Sequence, residues 1–163
     1  MFKKYISIFC ILFFQLIYAQ NKLPIPDTLS GYSLNLTIQN SSVSFYPGFQ
    51  TKTMGVNGSL LGPTLILRKG ENISMNVTNT LTDTTTIHWH GMHVAPQNDG
   101  GPHTVILPGT TWQPQFTVMD NAATYWYHPH LHKKTAEHVT KGVAGFIIVR
   151  DNQEAALKLP RKY

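Results

Sequence analysis

The chain has 163 residues, eight histidines, one cysteine and a formal net charge of +5. That length is room for one domain with a real core. Its cations are scattered, and Lys133-Lys134 and Arg161-Lys162 are pairs rather than a patch, so nothing argues for a nucleic-acid partner.

Lys3 and Lys4 precede an apolar run from Tyr5 to Tyr18, and Ala19 and Gln20 follow. A basic start, an apolar middle and a small residue near the cut predict a secretory signal peptide over residues 1–20. Cleavage is expected after Ala19 or Gln20. The run is shorter than the ~20 residues that span a bilayer, so no retained membrane anchor is expected. The chain is therefore expected to be exported, to the periplasm or the extracellular space. Cys10 lies inside the signal, so the exported chain has neither a disulfide nor a thiolate ligand. Loss of Lys3 and Lys4 takes the charge from +5 to +3.

Beyond the signal, short alternating runs separated by turn residues predict an all-β sandwich or barrel over residues 21–150. Ser33 to Ile38 alternates polar and apolar. Pro47-Gly48 and Asn57-Gly58 read as turns. Thr64 to Leu67 is an apolar strand that ends at Lys69-Gly70. Ile73, Met75 and Val77 form one face of the next strand. Thr84 to His90 is β-branched and leads into a first histidine cluster. Asp99-Gly100-Gly101-Pro102 and Pro108-Gly109 are loop signals. Trp112, Phe116 and Val118 mark a further strand, and Thr124 to Tyr127 leads into a second histidine cluster. Only Thr135 to Lys141 has any helical character, and it is short. Gly142 to Val149 is a continuous apolar run, as expected of a strand buried on both faces. The polar tail, residues 151–163, reads as a linker.

The clusters are His88-Trp89-His90-Gly91 and His128-Pro129-His130-Leu131-His132. Each places imidazoles at i and i+2, which a strand sends to one face. Two such pairs brought together by a sheet offer four neutral nitrogen donors: His88, His90, His128 and His130. Imidazole suits copper, zinc, iron and nickel, so a multi-histidine metal site is expected. Trp89 faces the other way and is expected in the core. Gly91 lets the chain turn at once, and Pro129 stiffens the second pair. His132 continues the alternation and is either a ligand or a residue that orients one. His93, His103 and His138 lie in loops or a polar segment and read as structural. No His-Glu-x-x-His helix is present, which argues against a zinc protease. Asp99 and Asp120 lack a nucleophile motif beside them, and Asp99 reads as a turn residue. The Asn-x-Ser/Thr triplets starting at Asn35, Asn40, Asn57, Asn72 and Asn76 are glycosylation acceptors only in a eukaryotic host.

Thr86 to Gly91, Asp99 to Pro102, Pro108 to Thr111, and Thr124 to His132 recur in an order that strongly resembles the first cupredoxin domain of multicopper oxidases. The likeness is to the bacterial laccase, copper-efflux oxidase and bilirubin oxidase type. Gly142-Val143-Ala144-Gly145 and the apolar strand after it match that domain's end, and the resemblance covers residues 30–163. It implies a Greek-key β-sandwich of cupredoxin type with copper as cofactor. The chemistry it implies is oxidation of phenols, metal ions or similar donors, with oxygen reduced to water. By position, His88 resembles a ligand of the type 2 copper. His90, His128 and His130 resemble ligands of the type 3 pair, and His132 resembles a motif residue that is not a ligand. The family draws its other cluster ligands from a C-terminal His-x-x-His-x-His stretch and a His-Cys-His stretch, and this sequence has neither. Lys133 stands where a glycine is usual.

The expected partners are therefore copper ions, the C-terminal cupredoxin domains or a complementary chain, and oxygen once the cluster is complete. A truncated gene, a split gene or a cut fragment would each give such a sequence. Two other readings stand beside the oxidase domain: an exported copper-binding or carrier module without turnover, and a non-functional remnant. A downstream reading frame with a His-Cys-His motif favours the oxidase; a frameshift favours the remnant.

Overall fold

A computed structural model describes residues 25–158. The expected signal peptide and the last five residues of the expected linker lie outside the described residues. The strands in chain order are β1 (Thr28–Ser30), β2 (Ser33–Tyr46), β3 (Phe49–Val56), β4 (Thr64–Arg68), β5 (Asn72–Asn79), β6 (His88–His90), β7 (Thr111–Trp112), β8 (Gln115–Thr117), β9 (Ala123–His128) and β10 (Gly145–Arg150). One helix, α1 (Thr135–Lys141), lies between β9 and β10, and a 3-10 turn follows at Glu154–Leu157.

Two sheets face each other. The first has the order β1-β4-β10-β9-β6, the second β3-β2-β5-β7, with β8 also on β5. β2 and β5 run parallel although β3 and β4 separate them in sequence, and β10 runs parallel to β4 and antiparallel to β9. These pairings between strands far apart in sequence close a mixed two-sheet β-sandwich, the fold class expected from the sequence.

The period of two explains the packing. Leu34, Leu36 and Ile38 of β2 are buried, as are Ile73, Met75 and Val77 of β5. They meet Leu65, Leu67, Ile147, Val149, Trp89 and Tyr127 from the first sheet in one core. β10 departs from expectation, since Phe146 is 56% exposed while Ile147 and Val149 are fully buried. The strand alternates, because only one face of its sheet is covered by the other. The first three residues of the apolar run belong to the exit from α1 instead. Regular pairing of the Thr84–His90 stretch also begins later than expected, at His88. Thr85 makes only an isolated bridge to Ile106. The Thr85 and Thr86 hydroxyls are instead bonded to His138 and to the His130 amide.

Tyr127 is the pillar beneath the second cluster. Its hydroxyl donates to the Pro63 carbonyl at 2.9 Å. Gly62 and Gly145 lie flat against it, where any side chain would collide with the ring's hydroxyl end. Burial pushes its phenol well above the ordinary value.

Candidate metal centre

β6 is the edge strand of the first sheet, and its antiparallel register on β9 creates the site. His88 stands opposite His128, Trp89 opposite Tyr127, and His90 opposite Trp126. Directly opposed residues share a face. Trp89 and Tyr127 therefore point inward together, and both are fully buried. His88, His90, Trp126 and His128 point outward together. Trp89 is fixed by its indole N–H to the Asn98 carbonyl at 2.9 Å and by stacking on Trp112.

His130 joins this face just beyond the end of β9. Its ring centroid is 5.3 Å from that of His88 and 6.0 Å from that of His128. His88 lies 5.7 Å from His90 and 5.6 Å from His128, and His90 lies 5.2 Å from His128. All four expected histidines are thus neighbours. Trp126 stacks on His128 with centroids 4.0 Å apart and leans on His90 at 5.1 Å.

Hydrogen bonds set the tautomers. The Asp99 carbonyl accepts from His88 Nδ1 at 3.0 Å, and the Pro129 carbonyl accepts from His128 Nδ1 at 2.7 Å. A carbonyl only accepts, so each Nδ1 carries the proton and each Nε2 keeps its lone pair. His128 Nε2 lies 3.0 Å from His90 Nδ1. The His130 amide donates to Thr86 Oγ1 at 2.6 Å. Burial holds the His128 imidazole below its ordinary value, against the pull of the Pro129 carbonyl. The neighbouring histidines add to the lowering. His128 is therefore neutral at pH 7, the form that binds metal.

His88 and His128 are recessed, whereas His90 and His130 are exposed. Among the described residues no three donors converge on one closed ion site. The arrangement is an open wall, with nitrogen donors on one side only.

The other histidines lie apart. His132 and His103 are exposed on loops. His93 Nδ1 bonds Asp120 Oδ1 at 2.6 Å, and that carboxylate is buried. His138, read from sequence as part of a polar segment, is completely buried on the inner face of α1. Two contributors escaped the sequence reading. Asp99 is more than a turn residue: its Oδ2 lies 3.2 Å from His88 Nδ1, beside the carbonyl contact. Thr86 anchors the His130 backbone. Only the Gly100 turn hinted at the first. Gly100 has φ +74, and a side chain there would run into the Ile87 carbonyl, so this loop must pass close behind β6.

Fold and site together define a class: a cupredoxin-like β-sandwich with a histidine wall on the β6–β9 strand pair at a sheet edge. A sequence-family model described as multicopper oxidase matches residues 37–154. The chain belongs to the multicopper oxidase family, and copper is the metal that family binds. It is 39% identical over 142 residues to multicopper oxidase mco of Staphylococcus aureus, covering 83% of this chain and 32% of that protein. It is 35% identical over 147 residues to cell division protein FtsP of Escherichia coli (strain K12), covering 88% of this chain and 31% of that one. The solved structure of the laccase-like multi-copper oxidase CueO from Ochrobactrum sp. superposes with a TM-score of 0.83 at 37% identity, over 87% of this chain and 33% of that chain. The chain spans about a third of the length of these relatives. Among the described residues no helix is long and apolar enough to cross a membrane.

Proposed function

We propose that this chain is an exported domain supplying one wall of a trinuclear copper cluster that reduces oxygen to water. His88, His90, His128 and His130 are its ligands. The observation that carries this is the β6–β9 register, which sets His90 Nδ1 and His128 Nε2 3.0 Å apart. With metal–nitrogen bonds of about 2.0 Å, two adjacent ligands on one ion stand about 3 Å apart. The donor set is all imidazole, which suits copper, and carbonyl partners already orient His88 and His128.

Bound copper would supply one-electron redox chemistry toward oxygen. The chain's own residues hold and orient. Asp99 locks His88 with Nε2 outward, Pro129 does the same for His128, and Trp126 walls one flank with an apolar ring. By position, His88 resembles a type 2 ligand, and His90, His128 and His130 resemble ligands of the type 3 pair. The open face requires ligands from elsewhere, from further cupredoxin domains or a complementary chain. Residues 1–20 serve as the signal peptide, 21–150 as the domain, and 151–163 as linker.

Isothermal titration of copper(II) into the full chain and into a His90→Ala, His128→Ala double variant tests this. The double variant should bind at least about tenfold more weakly; equal binding rejects the wall. Co-expression with a fragment carrying the His-x-x-His-x-His and His-Cys-His stretches tests the oxidase reading. Oxygen-dependent oxidation should appear with the pair and vanish with His88→Ala. Copper binding without any oxidation by the pair favours the carrier alternative.

A further inference from the structure

His138 is the one buried side chain among the described residues with a polar atom left unpaired, its Nε2. That nitrogen faces Asp83 Oδ2 at 3.7 Å, too far for a hydrogen bond. The same carboxylate oxygen is held by Lys134 Nζ at 2.7 Å. On the other side of the ring, Nδ1 meets Thr85 Oγ1 at 3.1 Å. The next residue, Thr86, holds the His130 amide. α1 is tied to His130 by a second route, because the Leu131 carbonyl accepts from the Lys134 and Thr135 amides and from the Thr135 hydroxyl. His138 thus stands between a movable ion pair and the segment that presents His130.

We propose that His138 is a proton-responsive positioning residue for His130. Neutral, it braces Thr85 and, through the adjoining Thr86, the His130 backbone. In this reading the neutral ring keeps its proton on Nδ1, toward Thr85 Oγ1, so a proton taken up from solvent adds an Nε2–H that engages Asp83, draws that carboxylate from Lys134 and loosens the segment carrying His130. The groups able to oppose or assist are Asp83, Lys134, Glu137 and Lys141. Glu137 is bonded to both lysines and so is not free to replace Asp83. β3, packed on α1, carries a single ionisable side chain, the exposed Lys52. Burial disfavours the charged imidazole and sets the switch on the acid side of neutrality. The consequence for copper rests on the proposed role of His130; the coupling itself does not.

Nuclear magnetic resonance of the metal-free full chain, titrated from neutral to mildly acid pH, reads that coupling. The His138 ring should titrate below the ordinary histidine value, and the His130 amide should show an inflection at the same midpoint. The inflection should disappear in His138→Gln and persist in His130→Ala, which keeps that amide but not its ring. Asp83→Asn, at a partly exposed position that leaves the core intact, should lower the His138 midpoint by about one unit. A His130 amide that stays flat through the His138 titration, or an inflection that survives His138→Gln, overturns the proposal. So does a His138 midpoint indifferent to Asp83→Asn. If the coupling appears while the copper titration shows no role for the wall, the proposed function fails and this inference stands.

Discussion

Asp99 meets the His88 ring through both its carbonyl and its carboxylate, and only the second can be removed by substitution. Asp99→Ala should therefore weaken copper binding without abolishing it, by about tenfold, the usual effect of losing a group that orients a ligand. Titration calorimetry against wild type measures this, and an unchanged affinity means the carbonyl alone fixes the ring. Tyr127 makes a different kind of contact. Tyr127→Phe leaves the buried Pro63 carbonyl unpaired at no cost in ring packing, so it should destabilise the fold by about 1–3 kcal/mol. Urea unfolding should show that loss. Copper affinity should change little, since the phenyl ring still supports β9.

At the scale of elements, the site depends on β6, a strand of three residues at a sheet edge. So short a strand is held from behind as much as by β9: the Asp99 carbonyl accepts from the Trp89 amide at 3.3 Å as well as from His88. That approach is possible only because Gly100 lacks a side chain. Gly100→Ala meets both a left-handed backbone and the Ile87 carbonyl. It should cost about 1–3 kcal/mol and release the loop from β6. Amide hydrogen exchange should then show Trp89 losing protection before Tyr127. Equal protection of both in the variant would show that β9 alone holds the edge strand.

For the whole molecule, acid is the condition to watch. Burial lowers both His128 and His138 from their ordinary values. The unfolded chain takes up protons at these positions near pH 6.5, where the folded chain still refuses them. Stability of the metal-free chain is therefore fully present above that pH and falls as pH drops through it toward the folded-state values. Asp83, held low chiefly by its hydrogen bond from Lys134, adds a loss in a separate, more acid window. Urea midpoints measured from about pH 8 to about pH 5 should be flat at first and then decline, given an unfolded imidazole value near 6.5. A midpoint constant across the range contradicts the burial argument. His138→Gln should flatten part of the decline.

Much of this was legible in the residues themselves. Alternation in β2 and β5 announced a half-buried sheet, because side chains on a strand change face at every step. The same rule placed His88 with His90 and sent Trp89 to the core, with no knowledge of the partner strand. The short helix at Thr135–Lys141 was also readable. What no local pattern carries is register. Only the pairing of β6 on β9 decides that His88 faces His128 and that His90 Nδ1 comes within bonding reach of His128 Nε2. Burial is equally non-local. His138 lies between Glu137 and Val139 in a segment that also carries Thr135, Thr140 and Lys141, so its place in the sequence gives no core signature, yet the turn of α1 drives it inward against Thr85. Asp99 looked like a turn residue because a turn is what its neighbours dictate; its contact with His88 exists only once that loop is folded behind the edge strand. Sequence alone determined which residues share a face, since that follows from backbone geometry. Tertiary structure decided which faces meet, since that follows from pairings between segments far apart in the chain.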